Sequence, residues 1–168
     1  MSCDGTLFRV VWHGTCLLVG YTNISAMKSR FHWLAPPCPM LRVLCIDNDE
    51  GLLGFLAELL PKCGHSVVTA SNLQDGLKVL AETAVDAVIL GAELPEIRLK
   101  AAASKIRSRR PRAAVLLYGV GDEASEEMLE VVDGFVNKAD IWGLLLLLTV
   151  VEAEQSKRRT ESARRRVG

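Results

Sequence analysis

From residue 41 onwards, short runs of aliphatic and β-branched residues alternate with longer segments in which apolar side chains recur every three or four positions. Continuous apolar runs are typical of strands that are buried on both faces of a parallel sheet. A spacing of three and four residues is typical of helices that bury one face. The runs predicted as strands are 42–46, 66–70, 85–90, 113–118 and 134–137.

The segments between these strands carry signals for helix starts and ends. The first contains a stripe of leucines and stops near Pro61 and Gly64, which favour a helix end. Asn72 is placed to cap the second helix and Asp140 to cap the last. The third and fourth helices are expected over 100–109 and 122–132. This order of β–α units predicts an α/β fold, namely a flavodoxin-like, doubly wound, five-stranded parallel sheet with flanking helices.

Residues 1–39 do not follow this pattern and show neither a capped helix nor a clean alternation of apolar and polar positions. We therefore predict an N-terminal extension that is disordered or lies upstream of a true start at Met40, followed by the α/β domain over 40–150. A partner-binding segment is the alternative, because an exposed aromatic side chain such as Trp12 or Trp33 can anchor an interface.

Charge is distributed unevenly although the formal net charge is zero. Residues 40–150 contain 11 Lys and Arg against 16 Asp and Glu, whereas residues 151–168 contain 6 against 3. The second range is predicted to be a basic helix end and tail, and its interleaved glutamates argue against nucleic-acid binding. The five cysteines form no C-x-x-C pair, which favours free thiols in a reducing, cytoplasmic compartment. The longest apolar run, 141–151, is too short to span a bilayer.

Polar side chains follow the strands at the edge where a doubly wound sheet binds its ligands. Asp47, Asn48 and Asp49 come after the first strand, and their oxygens suit a hard cation such as Mg²⁺. On spacing alone, the favoured interpretation is that Asn48 or Asp49 caps the following helix. Lys138 comes after the last strand and could neutralise a phosphoryl group, although a lysine at a strand end is more often simply solvated.

Together these stretches resemble the receiver domain of two-component response regulators over about residues 41–150. The resemblance implies a site in which two acidic residues after the first strand hold Mg²⁺. It also implies an aspartate after the third strand that accepts a phosphoryl group, which a Ser or Thr after the fourth strand and a Lys after the fifth then engage. The stretches that carry the resemblance are Leu41-Arg42-Val43-Leu44-Cys45-Ile46-Asp47-Asn48-Asp49, Val67-Val68-Thr69-Ala70, Val85-Asp86-Ala87-Val88-Ile89-Leu90, Leu94-Pro95 and Phe135-Val136-Asn137-Lys138.

Carried onto this sequence, the acidic part of the site is depleted. Asp47 keeps the first acidic position, whereas Asn48 at the second offers an oxygen without a charge. Gly91 occupies the acceptor position and has no side chain on which an acyl phosphate could form. Asp47 would therefore hold Mg²⁺ only weakly, and no other cofactor is expected. Glu93 could replace the acceptor only if the backbone rearranged, because reacting groups must be placed within narrow limits.

The remaining positions of the implied site are altered as well. The hydroxyl position is Gly119, and Lys138 is followed by Ala139 instead of the proline that is usual in the family. Phe135 takes the aromatic switch position with a ring but no hydroxyl. The segment from Gly119 to Phe135 is short for the family, which implies a shortened fourth helix.

Three functions remain open on the sequence. The favoured one is a non-enzymatic pseudo-receiver that acts without phosphorylation through a protein partner, such as a histidine kinase or another regulator, with dimerisation as a possibility. In the family, the fourth helix, fifth strand and fifth helix form the contact surface, which would here carry Glu126, Glu127 and Glu130. The second is a phosphorelay receiver that is phosphorylated at an unconventional residue. The third, a small flavodoxin-like enzyme or nucleotide binder, has no phosphate-binding or catalytic motif to support it. No membrane association is expected.

Overall fold

The computed structural model describes residues 7–12, 15–20, 41–91, 96–119 and 126–167. Each strand and helix is numbered in chain order. The strands are β1 (Leu7–Trp12), β2 (Thr15–Gly20), β3 (Arg42–Ile46), β4 (Ser66–Ala70), β5 (Ala87–Gly91), β6 (Ala114–Gly119) and β7 (Gly134–Asn137). The helices are α1 (Glu50–Lys62), α2 (Leu73–Glu82), α3 (Glu96–Arg109), α4 (Glu126–Leu129) and α5 (Ile141–Val167).

Strands β3 to β7 form one parallel sheet in the order β4-β3-β5-β6-β7. The chain runs outwards from β3 to β4 and then returns past β3 to β5, so the order of the strands reverses at β3. The predicted flavodoxin-like, five-stranded parallel fold is confirmed. The strand bounds also agree with the predicted runs to within two residues.

The sheet has a hydrophobic core on each face because alternate residues of a strand point to opposite sides. Val43 and Cys45 of β3 belong to the core that α1 and α5 cover. Leu44 and Ile46 of the same strand belong to the core that α2 and α3 cover. Burial on both faces explains why the strands consist of continuous apolar runs.

The helix starts confirm the capping signals of the sequence. Asn72 accepts a hydrogen bond from the backbone N–H of Asp75 at 2.9 Å, and Asp140 accepts one from Gly143 at 2.8 Å. Gly64 follows α1 with a φ of 93°, a left-handed conformation that glycine adopts without the steric cost of a Cβ.

Two helices differ from their expected bounds. Helix α4 has four residues where 122–132 was predicted, although residues 120–125 lie outside the described part. Helix α5 has 27 residues and continues to Val167, so most of the predicted basic tail is helical. Arginine, lysine, glutamate and alanine are good helix formers, and cations are favourable at a helix C-terminus. Among the described helices, none combines the length and the apolar character that a bilayer-spanning segment requires.

The N-terminal region contains an element that the sequence pattern did not indicate. Strands β1 and β2 form an antiparallel hairpin in which Leu7 pairs with Gly20 and Trp12 with Thr15. Strand β1 lies close to β7 at the edge of the sheet. The hairpin lies within the predicted N-terminal extension, and the sequence did not indicate it because strands without strict alternation of apolar and polar residues give no period-two signal.

Candidate functional site

Four strand ends meet where the sequence predicts the site. Asp47 directly follows β3, Gly91 is the last residue of β5, Gly119 is the last residue of β6, and Lys138 directly follows β7. The strand register keeps these ends level, since Ile46 pairs with Leu90, Gly91 with Tyr118, and Gly119 with Asn137. The structure therefore gathers the residues that the resemblance singled out at one edge of the sheet.

Asp47 and Lys138 form an ion pair at the centre of this edge. Lys138 Nζ lies 3.2 Å from Asp47 Oδ2, and the two side chains are 15% and 4% exposed. The other carboxylate oxygen, Oδ1, accepts a hydrogen bond from the backbone N–H of Asp49 at 2.9 Å. Oδ2 has no partner with the directional geometry of a hydrogen bond among the described residues, so its contact with Lys138 is a contact between charges. The carboxylate of Asp47 and the ammonium group of Lys138 thus neutralise each other.

Gly91 lies directly beneath the Asp47 carboxylate. A Cβ atom added at position 91 would overlap Asp47 Oδ2 and would lie 2.6 Å from Asp47 Cγ and 3.2 Å from Asp47 Cβ. The space that a side chain at position 91 would need is therefore occupied by Asp47. The glycine therefore admits the carboxylate that pairs with Lys138. The role of position 91 as a vestigial acceptor position stays a prediction.

The two residues after Asp47 do not contribute to the centre of the site. Asn48 is exposed, and Asp49 Oδ1 accepts a hydrogen bond from the backbone N–H of Leu52 at 3.0 Å, which caps α1. The capping interpretation is thus confirmed for Asp49. It leaves Asp47 as the carboxylate of this run that faces the site.

These donors do not fit the Mg²⁺ ion that receiver-type sites use. Mg²⁺ prefers several oxygen ligands in near-octahedral geometry, and here one buried carboxylate is already paired with a lysine. Within the described ranges, no three His, Cys, Asp or Glu side chains converge as a metal ligand set. A weak site at Asp47 remains a prediction for binding measurements.

Tyr118 is a site residue that the sequence reasoning missed. It pairs with Gly91 across β5 and β6, is fully buried, and donates a hydrogen bond from its hydroxyl to the backbone oxygen of Lys138 at 2.8 Å. Burial raises the pKa of its phenol, and the carboxylate of Asp140 raises it further, while Lys138 lowers it. The signal in the sequence was a tyrosine at the end of an otherwise apolar strand, because a buried tyrosine needs a partner for its hydroxyl.

Phe135 and Lys138 belong to the same strand end but have different surroundings. The Phe135 ring is buried among apolar side chains of the core that α2 and α3 cover. The backbone N–H of Lys138 donates to the backbone oxygen of Gly119 at 2.8 Å, which extends the β6–β7 ladder by one residue. Glu93, the alternative acceptor, lies outside the described residues.

Comparison with known proteins finds similar sequences and similar folds. No family model matches the chain. The transcriptional regulatory protein AfsQ1 of Streptomyces coelicolor is 32% identical over 101 residues, which are 60% of this chain and 43% of that protein. GlrR of Escherichia coli is 32% identical over 99 residues, which are 57% of this chain and 22% of that protein. The chain thus spans less than half the length of these relatives.

Solved structures share the fold at lower identity. A CheY-like response regulator receiver domain protein from Methanospirillum hungatei has a TM-score of 0.63 at 21% identity and covers 71% of this chain and 99% of its own. A response regulator from Burkholderia pseudomallei, solved with a phosphorylated aspartic acid and a calcium ion, has a TM-score of 0.56 at 22% identity, covering 72% and 74%. The α/β domain therefore has the CheY-like receiver fold, and its sequence is similar to those of response regulators.

Proposed function

We propose that this chain is a pseudo-receiver, which works in two-component signalling through protein contacts and without phosphorylation. The observation that carries the proposal is the Asp47–Lys138 ion pair lying over Gly91. In a receiver that accepts phosphate, the acceptor aspartate or its phosphoryl group is the anion beside this lysine. Here Asp47 supplies that anion permanently.

The surroundings of the pair support a site that stays in one state. Gly91 offers no atom for an acyl phosphate, and the Asp47 side chain is 4% exposed, which limits the approach of a phosphodonor. The Phe135 ring is already buried and has no hydroxyl that would favour an outward position. Receiver domains of response regulators generally act as signalling modules and not as enzymes, so loss of the acceptor leaves the protein-contact surfaces as the working part.

The surface around α4, β7 and the start of α5 is the proposed contact site. Trp142, in the first turn of α5, is 53% exposed, and tryptophan is among the residues that contribute most at interfaces. Glu127 in α4 and Glu130 directly after it are exposed, and Glu127 forms an ion pair with Lys100. A histidine kinase or another regulator with an apolar pocket and a basic rim would fit this surface.

The first experiment tests phosphorylation directly. The full chain is incubated with acetyl phosphate and Mg²⁺, and the intact mass is then measured at neutral pH. We expect no phosphoryl adduct, while a response regulator with an intact site serves as the positive control. A stoichiometric adduct that maps to Asp47 or Glu93 would instead support the phosphorelay alternative.

The second experiment asks whether Gly91 accounts for the altered site. Gly91→Asp and the double variant Asn48→Asp/Gly91→Asp are titrated with Mg²⁺ while the tryptophan fluorescence is recorded. We expect a saturable response in the double variant, because its two added carboxylates make three together with Asp47, and none in the wild type at sub-millimolar Mg²⁺. A wild-type response at sub-millimolar Mg²⁺ would contradict the argument from the Asp47–Lys138 pair.

The third experiment tests the contact surface with a matched pair of variants. Trp142→Ala and Phe55→Ala each remove an exposed aromatic ring, since the two residues are 53% and 50% exposed. Phe55 lies on α1, which packs against β4 at the edge of the sheet opposite β7. In pull-downs from native lysate, capture of a kinase or regulator should be lost with Trp142→Ala and kept with Phe55→Ala. The reverse result would assign the contact to α1.

A further inference from the structure

A cleft lies at the end of the sheet opposite the Asp47–Lys138 pair, where β5 and β6 begin. One wall is the turn from α3 into β6, and the other is α5 from Gln155 onwards. The cleft has a volume of about 1080 Å³. Small-molecule sites usually measure roughly 300–1,000 Å³, so a ligand of nucleotide size fits.

Arginine dominates both walls of this cleft. Arginine is well suited to phosphate, because its planar guanidinium presents parallel N–H donors and keeps its charge at every physiological pH. The lining contains six arginines against two acidic residues, Asp86 and Glu161, so positive charge is in clear excess. The arginines are Arg109, Arg110 and Arg112 on the first wall and Arg158, Arg159 and Arg165 on α5.

Contacts within the protein hold the two walls in place. Arg159 pairs with Asp86 at 3.0 Å, and Gln155 donates a hydrogen bond from its side chain to the backbone oxygen of Arg112 at 2.7 Å. Arg110 donates to the backbone oxygen of Thr83 at 3.1 Å. The cleft is therefore preorganised, which reduces the entropy lost on binding.

Several donors in the cleft have bonding capacity left over. Arg110 Nε is buried and has no hydrogen-bond partner among the described residues. Among the ion pairs between described residues, none involves Arg112 or Arg165. Arg112 and Arg165 are exposed and line the cleft, so their guanidinium groups can donate charge-assisted hydrogen bonds to an anion that enters it.

The floor of the cleft narrows the class of anion. Ala84, Val85, Pro111 and Ala113 supply apolar surface between the arginines, which suits the base and sugar of a nucleotide better than bare phosphate. Nucleic acid fits less well, because no aromatic side chain among the described residues lines the cleft for base stacking and the domain around it is acidic. We propose that this arginine cleft binds a nucleoside di- or triphosphate, with its phosphates between the two walls.

The test measures binding of a fluorescent ATP analogue to the full chain by anisotropy, with ATP, inorganic triphosphate, adenosine and a single-stranded oligonucleotide as competitors. Arg112→Ala/Arg165→Ala removes two cleft arginines. The control Arg98→Ala/Lys157→Ala removes two exposed charges from α3 and α5 that do not line the cleft. Thermal unfolding of each variant checks that it is folded.

We expect saturable binding that ATP displaces better than triphosphate or adenosine. The cleft variant should bind at least about tenfold more weakly, because each lost contact is a charge-assisted hydrogen bond, while the control should change affinity less than about twofold. Absence of displaceable binding up to millimolar nucleotide, equal weakening in both variants, or displacement by the oligonucleotide alone would each overturn the proposal. The outcome does not depend on whether the opposite edge of the sheet accepts phosphate.

Discussion

Replacement of Gly91 by alanine should destabilise the protein through Asp47. The added Cβ would overlap Asp47 Oδ2 and lie 2.6 Å from Asp47 Cγ, so the carboxylate must leave its place beside Lys138. Breaking a buried ion pair costs about 3–5 kcal/mol when a charge is left uncompensated, and overpacking costs about 1–3 kcal/mol. Lys138 is 15% exposed and can regain some solvent, so we expect a loss of about 2–3 kcal/mol.

A double-mutant cycle isolates this contact. In an Asp47→Ala background the overlapping carboxylate is gone and only the Cβ of residue 47 remains, 3.2 Å from the added Cβ. Gly91→Ala should then lie within roughly 0.5 kcal/mol of neutral, since alanine also loses less entropy in a strand than glycine. Guanidinium unfolding followed by circular dichroism gives the four free energies. Gly54→Ala is the control, because a Cβ at position 54 would meet no atom within 4 Å beyond its own stretch of helix and should stabilise α1. Costs of Gly91→Ala that are equal in both backgrounds would refute the overlap with Asp47.

Three further predictions follow from buried groups. Burial, and secondarily the charge of Asp47, raise the pKa of the Cys45 thiol to about 12, so this thiol stays protonated at pH 8. Iodoacetamide should therefore label the exposed Cys63 before Cys45. Equal labelling rates of the two cysteines, measured by mass spectrometry, would contradict this. Asp133 accepts a hydrogen bond from the Val115 N–H at 2.7 Å and forms an ion pair with Arg107 at 3.0 Å. In chemical unfolding, Asp133→Ala should therefore lower the free energy of unfolding by about 2–4 kcal/mol, and Asp133→Asn clearly less. Equal losses would argue against the hydrogen bond. Gly76→Ala should destabilise the protein, despite the better helix propensity of alanine, because the added Cβ would lie 2.8 Å from Ile46 Cγ1. In an Ile46→Ala background the same unfolding assay should show no such cost. A cost that persists there would count against the contact.

The fold could be predicted because its signals are local. Each strand is buried on both faces and is therefore an apolar run, and each helix repeats its apolar residues every three or four positions. Asn72 and Asp140 mark helix starts because each side chain accepts a hydrogen bond from the backbone N–H three residues further along the chain. The hairpin of β1 and β2 was missed because its two strands show no alternation, and pairing between strands leaves no mark on either sequence alone.

At the candidate site, the sequence by itself determined that no carboxylate stands at position 91 and that Asp47 and Lys138 are retained. Only the tertiary structure decided that Asp47 lies over Gly91 and pairs with Lys138, and that Tyr118 bonds to the backbone beside them. The arginine cleft is of the same kind, since α3 and α5 supply its two walls from distant parts of the chain. The physical reason is that composition and periodicity report the burial of each residue. Contacts between distant residues depend on strand register and side-chain packing, which exist only in the folded chain.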